Sequence, residues 1–432
     1  MRLRLRLVCS ALLCWVCVSS FAQTSTLSPG LEILLRKAGW VQIGLQKSTG
    51  AVAIQVKSGA VCMGPSGKVY DGPGGTFRAT ADRKGINLTS PDGRLIQGEW
   101  FVVEPRADGS VATWETSGNG YRGRAQLVHN GSGMRVINQI RIDDYLKGVL
   151  PAEIGSSPME ALKAQAVAAR SETIFKLAAN RHKADGFDLC TGEHCQAYKG
   201  VKLEEQPSNE AVDATAGYVL TNASGAILDA VYSNVCGGIT AGAEDVWDSE
   251  PIPGLRPVFD SPGKAAGAVD VSSEAAFRRF LDDSSRDFFC DSKNAGYPKY
   301  AMKYFRWKKT VSGEQLAKVA GFSRVRDVAV AERRPSGKVW VLRITGDGGV
   351  KDLKKELPIR RALDLWSGLF YVDVTRNPDG TVANATFTGG GNGHGVGLCQ
   401  MGARTMAARG MGFDRILNHY YPDARVVRVY RP

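Results

Sequence analysis

The chain has no long run of lysine or arginine, no internal repeat and no low-complexity stretch, and it holds only five histidines in 432 residues. The missing basic run, together with the lack of a base-stacking motif, argues against nucleic acid as a partner. The missing repeat speaks against a solenoid or propeller. The apolar stretch from Val8 to Val18 falls short of the ~20 residues a membrane helix needs, so no stable membrane span is expected. None of Cys9, Cys14 or Cys17 follows the small residue that a lipoprotein cleavage site wants, so no lipid anchor is expected either.

What residues 1–22 do offer is an export signal. Arg2, Arg4 and Arg6 form a basic head, an apolar core follows, and Ser20-Phe-Ala22 reads as a small-x-small cleavage site. The predicted location is outside the cytoplasm, in the periplasm or cell envelope. Without those three arginines the formal charge falls from +12 to +9, a diffuse surplus suited to a polyanionic envelope. The remaining ~410 residues exceed one ordinary core, which predicts two lobes or one large domain with insertions. At 43% apolar residues the chain has ample material for burial.

Residues 31–140 read as short strands separated by Gly, Asp and Pro turns. Residues 41–45 and 123–140 are assigned to the sheet of the main fold, and the stretch between them to a small β lobe. The predicted division is residues 23–122 as a β-rich region, part of the main fold or inserted in it, and 123–432 as the main domain. Downstream, helices are expected over 210–217, 274–281, 314–319, 358–365, 398–409 and 413–420. Residues 226–232 read as a buried strand, 262–267 as a loop, and 328–334 with 338–345 as a hairpin. The class is α+β, with mixed sheets, a central helix beside the site and an additional small β-rich lobe.

That central helix begins near residue 158. Ser157 is a candidate N-cap, Pro158 suits the first helical position, and Glu160 stands where a capping-box carboxylate belongs. Leu162, Ala166, Ala169, Thr173 and Leu177 form a narrow, Ala-rich stripe against which a neighbour can pack closely. Glu153 lies four residues ahead of the cap, after an amphipathic stretch over 142–150. A carboxyl held by two elements at a chain reversal is a seat for a general acid. On spacing alone, it serves equally as a dipole partner for the helix N-terminus.

Four blocks carry a resemblance. They are Leu150-Pro-Ala-Glu153 with Glu160-Ala-Leu-Lys-Ala-Gln-Ala-Val-Ala-Ala-Arg170, then Thr191-Gly-Glu-His-Cys-Gln-Ala-Tyr198, then Tyr232-Ser-Asn-Val-Cys-Gly-Gly238, and Gly393-His-Gly-Val-Gly-Leu-Cys-Gln-Met-Gly-Ala403. In this order they resemble the SpoIID/LytB family across residues 125–430. One departure is Cys399-Gln-Met-Gly-Ala, where many members have Ser-Gln-Trp-Gly-Ala. The resemblance implies either a lytic transglycosylase acting on peptidoglycan glycan strands or an enhancer that activates a cell-wall amidase. A pure glycan-binding scaffold is a further alternative.

A lytic transglycosylase needs one acid/base residue, because the nucleophile is the sugar's own C6 hydroxyl; the resemblance puts that residue at Glu153. Lys163 and Arg170 are seven apart on one helix face and can both look into a cleft, or simply face solvent. Tyr198, Ser233 and Gln400 lie in the family blocks and are candidate glycan ligands; each serves equally as a structural hydrogen bonder. His394, among glycines that permit close backbone approach, is a candidate to orient Glu153 or grip a sugar, or to lock its own turn. His129 and His419 carry no motif. His182, Cys190, His194 and Cys195 match a structural zinc site in ligand type but not in finger spacing, and the resemblance adds zinc in this block. A Cys190–Cys195 disulfide is the alternative. Cys236 and Cys399 both fall in family blocks and can approach each other, with no pairing deducible.

Overall fold

The computed structural model of the protein describes residues 28–106, 113–192, 194–263 and 270–431. The export signal and most of the expected loop over 262–267 lie outside the described residues. Among the described residues, no helix is long and apolar enough to cross a membrane.

Apolar and polar residues alternate along the early strands, and two antiparallel sheets result. Val41 and Ile43 of strand Trp40–Thr49 are fully buried. That strand pairs with Met134–Arg141, and the seven-stranded sheet continues through Arg124–His129, Trp100–Pro105, Ala60–Gly64 and Gly67–Gly72. The second, six-stranded sheet is built from Asn119–Arg122, Thr113–Thr116, Ala51–Val56, Gly75–Asp82, Gly85–Thr89 and Leu95–Gly98. Trp100–Pro105 pairs with Arg124–His129, so one sheet continues across residue 122. At the other edge of the seven-stranded sheet, Leu189–Cys190 adds in parallel, with Cys190 opposite Gly44.

Three helices position the site: α1 (Pro29–Arg36), α2 (Ile142–Glu153) and α3 (Met159–Ala179). The predicted stripe of α3 is buried, but so is most of the rest of the helix. It packs against α1, α2, the later helices Gln206–Ala214, Gln400–Ala408 and Phe413–Tyr420, and strand Tyr218–Thr221. Its alanines let these neighbours come close. The predicted cap is corrected. Pro158 occupies the N-cap position, no side chain caps the helix, and the Ser157 hydroxyl donates to the Ile154 carbonyl instead. Glu160 accepts from Lys163 and from the Phe413 N–H.

Residues 226–232 do not form the expected strand. Ile227 makes an isolated antiparallel bridge to Thr221, and Tyr232–Ser233 pairs in parallel with Leu398–Cys399, which joins two of the sequence blocks directly. The hairpin over 325–346 forms as expected, with bulges, and the expected helix over 314–319 is Gly313–Ala320 with a Ser312/Gln315 capping box. Together with Trp307–Ser312, Phe370–Arg376, Val382–Gly389 and helix Glu356–Leu363, these elements enclose a second hydrophobic core distinct from the main one.

Candidate active site and metal cluster

Glu153 is the last residue of α2, and Gly155 (φ +60°) turns the chain toward α3, so the carboxyl sits at a reversal as the spacing suggested. It is half-buried. Its Oε1 accepts the Ala197 N–H at 2.6 Å. The segment supplying that N–H is fixed to α3. The buried Gln196 amide donates to the Ala169 carbonyl at 3.0 Å and to Glu172 Oε2 at 2.8 Å, and accepts the Thr173 hydroxyl at 2.9 Å. Lys176 ties Glu172 to the Cys195 carbonyl.

Tyr145 is fully buried and Tyr232 half-buried, each with its hydroxyl inside the protein. Burial first, then nearby negative groups that include Glu153 and Glu172, hold the Tyr145 and Tyr232 phenols well above their ordinary range. Both remain protonated donors, and neither hydroxyl has a hydrogen-bond partner among the described residues. A buried donor without an acceptor is costly.

The four predicted metal ligands do converge. One donor atom from each of His182, Cys190, His194 and Cys195 lies within 4.8 Å of the others. Cys195 Sγ is 3.4 Å from His182 Nε2 and 3.8 Å from His194 Nδ1, and Cys190 Sγ is 3.9 Å from His194 Nδ1. Asp185 Oδ2 engages His182 Nδ1 at 2.9 Å, leaving Nε2 to face the sulfurs, an arrangement common for metal-ligating imidazoles. Cys190 and Cys195 are free thiols. This cluster precedes Gln196 and Ala197 directly, so whatever stiffens it also steadies the N–H on Glu153.

Comparison with known proteins follows this geometry. The sequence profile of a family described as Stage II sporulation protein matches residues 130–222, which span α2, Glu153, α3 and the His/Cys cluster. Residues 241–397 match a domain of unknown function. The chain is 26% identical over 307 residues to Stage II sporulation protein D of Bacillus subtilis, covering 67% of this chain and 75% of that one. It is 26% identical over 288 residues to the Amidase enhancer of the same organism, covering 64% of this chain and 39% of that one. An uncharacterized protein of Brachyspira hyodysenteriae is 29% identical over 309 residues, 71% of this chain and 72% of that one. These matches support a relationship to the SpoIID/LytB family.

Several of the candidate ligands turn inward. The expectation that Arg170 faces a cleft is corrected. It is fully buried because α3 is enclosed, and its guanidinium donates to Asp143 at 2.8 Å, the Tyr218 carbonyl at 3.1 Å and the Val212 carbonyl at 3.2 Å. Lys163 pairs with Glu160 at 2.7 Å. Tyr198 is buried and donates to Asn138 at 2.8 Å, and Gln400 donates to Gln165 at 3.4 Å. Ser233 is buried, with a hydroxyl that has no partner among the described residues.

His394 Nδ1 accepts the Val396 N–H at 3.0 Å, which locks its turn. Its ring keeps an edge toward solvent but is otherwise surrounded, and burial, then the Lys338 ammonium, push the imidazole down to about 3. It is therefore neutral at ordinary pH and no proton donor. The exposed Trp247 lies against it, ring centroids 5.1 Å apart.

Sequence spacing missed Tyr145, Tyr232, Glu172, Trp247 and Lys338. Tyr232 alone carried a signal, one residue ahead of Ser233 in its block; the others lie outside the blocks or, like Glu172, read as helix face.

Proposed function

We propose that this SpoIID/LytB-like protein is exported to the periplasm or cell envelope and cleaves peptidoglycan glycan strands as a lytic transglycosylase, with Glu153 as the single acid/base. The observation that carries the reading is a half-buried carboxyl at a chain reversal. A backbone N–H holds it on one oxygen, and two phenols with buried, unpartnered hydroxyls feel its charge. Its chain neighbours Leu150 and Ile154 are buried.

Glu153 then donates its proton to the glycosidic oxygen as the C1–O bond breaks. As carboxylate it takes the proton of the same sugar's C6 hydroxyl, whose oxygen closes on C1. One C–O bond is exchanged for another, no water is consumed, and the acid is regenerated. Tyr145 and Tyr232 are placed to steady the carboxylate stage by donating hydrogen bonds. Ser233, with its unpartnered hydroxyl, and Trp247 over neutral His394 offer a polar contact and a stacking face for the glycan. Lys163 and Gln400 serve at its margins, while Arg170 and Tyr198 hold the frame.

His182, Cys190, His194 and Cys195 suit zinc by donor chemistry and by the orienting Asp185. All four positions are filled by protein, so the ion supplies rigidity to the Ala197 segment and no reactive water.

Purified residues 23–432 and the Glu153→Gln variant, incubated with intact and amidase-stripped peptidoglycan, test the reading by mass spectrometry of released glycans. The expected result is anhydro-muramyl ends from the wild type, falling by about 10²-fold or more in the variant. Reducing muramyl ends would instead demand a second carboxylate and a hydrolase. The likeness to a protein named Amidase enhancer favours one other reading, in which the chain binds glycan and activates a partner amidase. Binding without release, and full amidase stimulation by Glu153→Gln, would establish it.

A further inference from the structure

Behind the Tyr232–Ser233 and Leu398–Cys399 pair lies a pocket that the proposed reaction does not use. Cys236, Cys290, Cys399 and Asp260 are all buried, at 1% exposure or less. One donor atom from each lies within 4.8 Å of the others. Cys236 Sγ and Cys290 Sγ are 3.5 Å apart, and Cys399 Sγ accepts the Cys236 N–H at 3.2 Å. Asp260 Oδ2 accepts the Cys290 N–H at 2.8 Å, while Oδ1 accepts the Tyr420 hydroxyl at 2.5 Å.

Three features distinguish this set from ordinary buried cysteines. First, the sulfurs come from segments 54 and 163 residues apart and still meet at one point. A tetrahedral zinc with Zn–S bonds of about 2.3 Å has S···S edges of about 3.8 Å. The observed 3.5 Å is close to that edge and far from the roughly 2.05 Å of a disulfide. Second, the carboxylate is held by groups that fix its direction and leave it lone pairs, as carboxylate ligands are commonly held. Room for it depends on Gly402, where a Cβ would stand 2.6 Å from Asp260 Oδ1 and 2.0 Å from the Tyr420 hydroxyl. Third, Cys399 is the N-cap of helix Gln400–Ala408, where the positive end of the helix favours thiolate. Among the described residues, no lysine, arginine or histidine forms an ion pair with Asp260. A wholly buried, acceptor-rich pocket of this kind is costly unless a cation fills it.

We propose that Cys236, Asp260, Cys290 and Cys399 form a second metal site, closed and tetrahedral, that takes Zn²⁺. Three sulfurs and one carboxylate oxygen select a borderline-soft ion over magnesium or calcium. With no open position, the ion is structural. It joins the turn after Tyr232–Ser233, the 260–290 segment and the start of helix Gln400–Ala408, thereby bracing the side of the cleft that carries Ser233 and His394. The His182 cluster braces the other side, behind Ala197 and Glu153.

Metal content of the full purified chain, measured by inductively coupled plasma mass spectrometry, tests this without reference to glycan cleavage. Two zinc ions per chain are expected. Cys399→Ser or Cys290→Ser should remove one, His182→Ala should remove the other, and the double variant should hold none. Because a Cys variant can fail by misfolding, a second measurement uses the His182→Ala background with its cysteines intact. Cobalt(II) loaded into that chain should give thiolate-to-metal charge-transfer absorption of three-sulfur intensity, and zinc should bleach it. Zinc content undiminished in both Cys399→Ser and Cys290→Ser, a cobalt spectrum without thiolate bands, or a Cys236–Cys290 cross-linked peptide on mass mapping would each overturn the site.

Discussion

Two acidic side chains on neighbouring elements show how much depends on the partners a buried carboxylate is given. Glu172 is satisfied on both oxygens by Lys176 and Gln196. Asp229 Oδ1, by contrast, is buried with no hydrogen-bond partner among the described residues. Burial first, then the charge of Glu172, push its carboxyl up to about 6, against weaker pulls from Lys176 and Arg181. A carboxyl raised in the folded state binds more protons there than in the unfolded chain. Its contribution is therefore favourable below the unfolded value near 4 and is lost as pH rises through about 6. Asp229→Asn should stabilise the protein at pH 7.5 by up to about 3 kcal/mol, a gain that shrinks below about 1 kcal/mol near pH 4. Thermal melts of the two proteins at both pH values check this, and equal melting at pH 7.5 would refute it. At this scale the sequence was legible where chemistry follows chain order. Glu153 was singled out through the family resemblance, and the His/Cys quartet through ligand types that lie close together in the chain. Tyr145, Trp247 and Cys290 were not, because their roles come from segments folded against them and no local spacing encodes that.

Among the elements, α3 sets the terms for its neighbours, and α1 shows how tightly. A Cβ on Gly30 would stand 1.9 Å from the Ile174 carbonyl oxygen. Replacing an exposed helical glycine with alanine ordinarily gains about 1 kcal/mol. Here the sign should reverse, because the obstacle is backbone and cannot rotate away. Gly30→Ala should cost roughly 1–3 kcal/mol. Urea unfolding measures it, with the exposed Glu32→Ala in the same helix as a near-neutral control; a Gly30→Ala chain as stable as wild type would refute the close packing. The Ala-rich stripe announced that something packs near α3, and the helix duly formed. The stripe could not announce that five helices and a strand surround it, because periodicity describes one face and its partners come from both ends of the chain. The same limit explains Ser157, a sound cap by local rules that instead bonds the Ile154 carbonyl and takes an Arg404 hydrogen bond from 247 residues away.

For the whole molecule, the mixed α+β class was legible, while the way the elements divide into cores was not. The reading took residues 23–122 as part of the main fold or inserted in it, and 41–45 with 123–140 as one sheet, which the structure shows. It had no sign of the second core, which lies late, between Trp307 and Phe387. Strand patterns say which side of each strand is buried, not which sheets face each other, so the division could not be read in advance. This arrangement predicts separable stability. Ile344 is fully buried at the centre of the second core. Ile344→Ala should cost about 2–5 kcal/mol, concentrated there. Several bonds link it to the site: the Trp307 indole donates to the Gly391 carbonyl, the Gly390 N–H to the Leu369 carbonyl and the Gly393 N–H to the Trp366 carbonyl, each at 3.0 Å. Hydrogen exchange on Ile344→Ala should show protection lost across 307–387 and in the glycine run before His394. In α3 and in the segment that holds Glu153 it should be unchanged. Uniform loss across both cores would mean that they unfold as one, and the glycan cleft would then be no stronger than its weaker wall.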